Sequence, residues 1–304
     1  MTGIQQVAVV GSGMIGASWA ALFLAHGLDV VAYDPSPEAE RPLRAYVEEA
    51  LRQLKELGRE GRGDLRFEPV LHKAVEDAGF VQENAPEKEA LKRSLLAEID
   101  GVLPPDVIVA SSTSALVRSA IVQDCTHKGR FIVAHPFNPP HLVPLVEIVG
   151  EDGAAIDRAR DFYLSLGQRP VVLRREMPGH IANRLSSALY REAVYLVEQG
   201  VASVADIDAA ISNGPGLRWA IMGPHMTYHL GGGQGGIQHY LSHLGPSQER
   251  RWASLGSPRL TAEVQERIVA GVEEEAAGRS IGELEAERDR LLLAFLRAKA
   301  DAAR

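Results

Sequence analysis

Six residues near the start constrain this chain most: Gly11-Ser12-Gly13-Met14-Ile15-Gly16. Before them, Val7-Ala8-Val9-Val10 is a continuous apolar run, β-branched at three of four positions, which suits a parallel strand buried on both faces. After them, Ala17 to His26 is apolar enough to be a helix packed on a sheet, and Gly27 stops it. Leu28 to Tyr33 reads as a second strand ending on Asp34. Glycines at this spacing between a strand and a helix, followed by a strand and an acid, form a dinucleotide fingerprint. Gly11 permits the tight turn, Gly13 lets a pyrophosphate approach the backbone, and Gly16 allows close helix–strand packing. The free N–H groups at the helix start, around Met14 and Ile15, attract the phosphates. Asp34 is placed to accept hydrogen bonds from an adenosine ribose diol. Pro35, Ser36 and Pro37 follow it, so no base is at hand to neutralise a 2′-phosphate, and NAD is expected rather than NADP.

The same alternation continues. Residues 37–58 carry Leu43, Val47, Ala50, Leu51 and Leu54 at helical spacing. Phe80-Val81, Val107 to Ala110, Phe131 to Ala134, Leu145 to Val149 and Val171 to Leu173 read as further strands, with amphipathic helices over 87–99 and 154–166. Strands alternating with helices argue for an α/β protein with a Rossmann-type, doubly wound parallel sheet. From Pro178 every segment reads helical, so the expected domains are residues 1–177 for the cofactor and an all-α domain over 178–304 for substrate and dimerisation. Ser203 to Asp206 resembles a helix-capping box.

Composition narrows the function classes. With 304 residues, 45% hydrophobic and 24% charged, the chain suits a two-domain globular protein. A net charge of −8 argues against a nucleic-acid partner. No apolar run approaches a membrane span, and no basic-then-apolar leader opens the chain. Cys125 is the only cysteine, and a cytoplasmic setting is expected. His225/His229 and His239/His243 are pairs at helical spacing, but no HExxH glutamate accompanies them, so no metal is expected.

Oxidation of a secondary alcohol needs a base for the hydroxyl proton, and His is the usual choice. His135 ends one strand and Glu147 lies within the next, where a carboxylate is costly unless partnered. Alone, such a pair can equally be a satisfied core His and a structural Glu. Ser111-Ser112-Thr113-Ser114, His135-Pro136-Phe137-Asn138-Pro139, Leu145 to Val149, and Pro178-Gly179-His180-Ile181-Ala182-Asn183-Arg184-Leu185 together resemble the L-3-hydroxyacyl-CoA dehydrogenase family. The resemblance covers nearly the whole length. It implies His135 as general base and Glu147 as its orienting partner. Ser114 and Asn183 would hydrogen-bond the substrate oxygen, Asn138 would support the same pocket, and Glu87 and Lys92 would contact the cofactor.

Gly216-Leu217-Arg218-Trp219-Ala220-Ile221-Met222-Gly223-Pro224 resembles the branch holding the lambda-crystallin type, L-gulonate 3-dehydrogenase and the carnitine dehydrogenases. The helix that meets CoA in acyl-CoA members, Arg41 to Leu57 here, has no lysine cluster. Arg218 follows a Gly-Pro-Gly stretch and can bind a free carboxylate bidentately. The expectation is therefore NAD-dependent oxidation of a small L-3-hydroxy acid by a homodimer. A 3-hydroxyacyl-CoA substrate is the runner-up, and a non-enzymatic binding role the third reading.

Overall fold

The computed structural model describes residues 3–302. Its first compact unit runs to Asn183 and takes in the chain again from Glu287, while Arg184–Ala286 forms a second. The first unit is built on an eight-stranded sheet. Its strands are β1 (Gln6–Val10), β2 (Asp29–Tyr33), β3 (Leu65–Glu68), β4 (Phe80–Glu83), β5 (Ile108–Ser111), β6 (Phe131–Pro136), β7 (Leu145–Val149) and β8 (Arg169–Val172). They lie in the order β3-β2-β1-β4-β5-β6-β7-β8. The order reverses between β1 and β4, and the glycine loop leaves β1 at this switch point, where open α/β sheets form their ligand crevice.

The sheet is the expected doubly wound, mostly parallel one, with one exception: β7 runs antiparallel to β6. The reason is the connection. A parallel return needs a crossover of a dozen or more residues, whereas residues 137–144 are too few, and three of them are proline. The reversal places His135 directly opposite Glu147 in register.

Helices α1 (Met14–Ala25), α2 (Glu40–Glu56), α3 (Leu71–Val75), α4 (Glu89–Asp100), α5 (Arg118–Ile121) and α6 (Gly153–Ser165) flank the sheet. Buried side chains form two clusters, one on each face. Trp19, Phe23, Phe80 and Phe162 belong to the first and Val10, Val81, Leu96 and Val133 to the second. Helix α1 is buried on nearly every side from Gly16 to Ala25, which explains its lack of a polar stripe.

The remaining helices are α7 (Ala182–Glu198), α8 (Val204–Ser212), α9 (Pro215–Trp219), α10 (Pro224–Gly231), α11 (Gly236–Ser254), α12 (Ala262–Ala276) and α13 (Ile281–Asp301). Ser203 caps α8 by accepting the Asp206 N–H at 3.1 Å. The second unit buries few apolar side chains, Val194, Ile207 and Val264 among them. From Glu287 onward α13 packs on the first unit. Asp289 accepts from Gln53 at 3.3 Å, and Arg297 pairs with Glu56, both on α2. No helix among the described residues is long and apolar enough to cross a membrane.

Candidate active site

The glycine loop has the shape its residues dictate. Gly11 has φ +89°, and a Cβ there would lie 2.8 Å from the Asn84 backbone. A Cβ on Gly16 would meet the Gly11 carbonyl oxygen at 1.9 Å. At Gly13 a Cβ would meet no protein atom, so its missing side chain leaves open space rather than relieving contact inside the fold. The first turn of α1 holds no acid and no side-chain cap, so its N–H groups are free for an anion. Asp34 lies across the loop, its Oδ2 accepting from the Ser12 N–H and hydroxyl at 3.2 and 3.1 Å. These features fit the diphosphate and ribose of a dinucleotide.

Beside the loop is a cavity of about 460 Å³, and Ile15, Glu87, Lys92, Ser114, His135, Asn138 and Asn183 all line it. His135 is 5% exposed, its ring held between Phe137, edge-on at 5.6 Å between ring centroids, and His180 at 5.0 Å. His135 Nδ1 bonds Glu147 Oε2 at 2.9 Å. Glu147 Oε1 accepts the Ile181 and Ala182 N–H groups at 2.8 and 3.0 Å. Burial alone would raise the Glu147 pKa. The His135 bond, the two N–H donors and the nearby imidazole outweigh it, and the carboxyl titrates below its ordinary value. An ionised Glu147 has no proton to give, so Nδ1 carries the hydrogen, and in the neutral tautomer this selects, the lone pair is on Nε2.

The expected cofactor contacts Glu87 and Lys92 also have tasks within the protein. Lys92, 1% exposed, donates to Glu83 at 2.7 Å and to the Ala85 carbonyl at 2.9 Å. Glu87 Oε1 accepts from the Thr113 hydroxyl at 2.5 Å and from the Ser114 and Ala115 N–H groups at 2.9 Å each. Burial pushes the Glu87 carboxyl up, but these bonds and Lys92 bring it below the usual range. Glu87 thus fixes the backbone that presents Ser114. Asn138 Nδ2 lies 3.4 Å from Met14 Sδ, which ties the proline-rich loop to the start of α1.

Several polar residues of the site escaped the sequence reading, which ended β4 at Val81. Gln82 is fully buried because it accepts the Tyr163 hydroxyl at 2.6 Å and donates to Ser112 Oγ at 2.9 Å. Ser112 in turn donates to Asn84 at 2.7 Å. Glu83 takes both Lys92 and the Ser111 hydroxyl, the latter at 2.5 Å. A pair of polar residues ending a buried parallel strand was the available signal.

Arg218 stands on α9, exposed and without an ion pair among the described residues. His229 Nδ1 accepts the Ile237 N–H at 3.1 Å, and His239 Nδ1 donates to the Gly232 carbonyl at 3.1 Å. His239 and His243 stack with ring centroids 5.6 Å apart.

Comparison with known proteins identifies the family. Residues 6–177 match the 3-hydroxyacyl-CoA dehydrogenase NAD binding domain, and residues 179–267 match the C-terminal domain of the same family. An L-carnitine dehydrogenase of Nocardiopsis dassonvillei is 50% identical over 301 residues, covering 97% of this chain and 92% of that protein. One from Streptomyces griseus is 49% identical, covering 97% and 90%. Among solved structures, 5-formyl-3-hydroxy-2-methylpyridine 4-carboxylic acid 5-dehydrogenase, an NAD+-dependent dismutase, superposes with a TM-score of 0.83. It is 32% identical, with 97% of this chain and 98% of that chain covered. The chain therefore belongs to the 3-hydroxyacyl-CoA dehydrogenase family of NAD-dependent oxidoreductases, within its carnitine dehydrogenase branch.

Proposed function

We propose that the chain oxidises the 3-hydroxyl of a small free L-3-hydroxy acid, L-carnitine, to the 3-keto acid, with His135 as general base. The observation that carries the chemistry is the His135–Glu147 pair at 2.9 Å in the cavity. Glu147 holds Nδ1, which leaves Nε2 to take the hydroxyl proton, and the carboxylate stabilises the imidazolium that forms. Ser114 and Asn183 orient the substrate oxygen, and Asn138 supports the pocket. The Gly11–Gly16 loop would hold the diphosphate of NAD and Asp34 its ribose, and the cofactor, when bound, would supply the hydride acceptor.

Two observations favour a free acid over a CoA thioester. Relatives named L-carnitine dehydrogenase are 45–50% identical over nearly the whole chain. The helix that meets CoA in acyl-CoA members is here engaged by α13, through Gln53–Asp289 and Glu56–Arg297. Arg218 remains the candidate for the substrate carboxylate. NADH formation measured with L-carnitine, L-gulonate and 3-hydroxybutyryl-CoA tests the reading. L-carnitine is expected to give the highest kcat/KM, and preference for the CoA ester would overturn it.

The chain acts as a homodimer in this reading. Helix α7 leaves Leu185, Leu189 and Tyr190 at 59, 38 and 56% exposure, more apolar surface than a solvated helix needs. A cytoplasmic setting accords with a single, buried, unpaired Cys125, whose thiol burial pushes up to about 11.

A further inference from the structure

His180 sits in a backbone conformation that disfavours a side chain. The turn before it closes through the His180 N–H to the Met177 carbonyl at 2.9 Å, with Gly179 at φ +74°. His180 itself has φ +50°, the left-handed region that glycine occupies freely and a residue with a Cβ does not. This backbone turn leads directly into the Ile181 and Ala182 N–H groups that hold Glu147. Glycine would make the turn with less strain. The imidazole therefore answers to a different requirement.

Its contacts show what that is. His180 is 2% exposed and packs on the ring of His135 with centroids 5.0 Å apart. Its Nε2–H donates to the Thr113 carbonyl at 3.1 Å. Nδ1 is then an acceptor, and among the described residues it is the one fully buried side-chain polar atom with no hydrogen-bond partner. A phenyl ring would pack on His135 without burying an unpaired nitrogen. The bond at Nε2 is what a phenyl ring lacks. Thr113 is the residue before Ser114, and its hydroxyl is held by Glu87.

We propose that His180 is a positioning residue: its Nε2–H bond to Thr113 ties the Ser114 loop to the segment that holds Glu147, and so sets Ser114 against His135. It acts in the neutral form, since burial lowers its pKa ahead of the Thr113 bond, with His135 lowering and Glu147 and Glu87 raising it further. The inference rests on His135 being the base and Ser114 a substrate ligand, not on which hydroxy substrate is used.

Three variants test it. His180→Gly relieves the left-handed strain and removes the ring, His180→Phe keeps a ring without the donor, and His180→Gln restores an N–H near the place of Nε2. Each is assayed on L-carnitine and on 3-hydroxybutyryl-CoA, with NAD affinity measured by fluorescence titration. Which substrate the wild type turns over tests the reading of function; the ratio of variant to wild type on that substrate tests this one. Misplacing a reacting group by about 1 Å costs up to ~10²-fold in rate. His180→Gly and His180→Phe should therefore lose about 10- to 100-fold in kcat with NAD affinity unchanged, and His180→Gln should recover most of that loss. The proposal is overturned if His180→Phe turns over at the wild-type rate, if His180→Gln is as slow as His180→Phe, or if kcat and NAD affinity fall together in all three.

Discussion

At the scale of single residues, the site depends on counting acceptors. Glu147 has two oxygens for three donors: Nδ1 of His135 and the N–H groups of Ile181 and Ala182. Glutamine is isosteric, but its amide NH₂ must face one set of donors. Glu147→Gln is expected to lower turnover and to lose roughly 1–3 kcal/mol of stability for the unmatched groups, read by urea denaturation. Removing the proposed base should be more specific. His135→Ala should lower kcat by about 10²–10⁴ while NAD still binds, and a variant with normal turnover would remove His135 from the mechanism. Arg218→Met should raise KM for the acid and spare NAD affinity if the guanidinium binds the carboxylate. An unchanged KM would assign Arg218 to the surface. Asp34→Ala should narrow the preference for NAD over NADP, because the carboxylate that meets a 2′-phosphate is gone.

At the scale of elements, His141 joins three helices. Its Nδ1 lies 2.7 Å from Ser18 Oγ on α1, and its Nε2 is 2.6 Å from Gln53 Oε1 on α2. Gln53 donates onward to Asp289 on α13. The amide oxygen of Gln53 can only accept, so Nε2 carries the proton and Nδ1 accepts the Ser18 hydroxyl. Burial, the largest influence, lowers the His141 pKa from 6.5 to about 4. Between those values the unfolded chain binds a proton that the folded chain does not. Stability contributed by neutral His141 is therefore complete above about pH 6.5 and declines as pH falls toward 4, by roughly 3 kcal/mol in all. His141→Gln should flatten this part of the stability–pH curve. A wild-type curve already flat between pH 4 and 6.5 would show that His141 does not titrate as its burial dictates.

At the scale of the molecule, the two compact units differ in how they bury surface. The first has a two-sided sheet with apolar clusters on both faces, while the second leaves Leu217, Ile221, Leu230, Leu241 and Trp252 at 59–69% exposure. If the chain dimerises as proposed, light scattering at micromolar concentration should give twice the chain mass. Replacing Leu185 and Tyr190 on α7 by Glu should give a monomer. A wild-type monomer at that concentration would leave the apolar face of α7 unexplained.

The sequence by itself determined whatever depends on neighbours along the chain. The glycine fingerprint, the alternation of buried strands and helices, and the Ser203 cap were legible because strand and helix periods and φ requirements are local. The pairing of His135 with Glu147 was legible only in part: a carboxylate inside an apolar strand demands a partner, but it was the resemblance to the family, not the residues alone, that named His135. Tertiary structure decided what depends on direction and distance. The short proline-rich link made β7 antiparallel and set His135 opposite Glu147 in register. Gln82 and Glu83 could extend β4 only because Tyr163, Ser112, Ser111 and Lys92 meet them from elsewhere in the chain. The return of α13 to the first unit rests on Gln53–Asp289 and Glu56–Arg297, more than two hundred residues apart. A partner that distant leaves no periodic trace in either segment. Nor could the motif around His180 reveal that one ring nitrogen would be bonded and the other buried alone, because that follows from the packing of three separate segments around one imidazole.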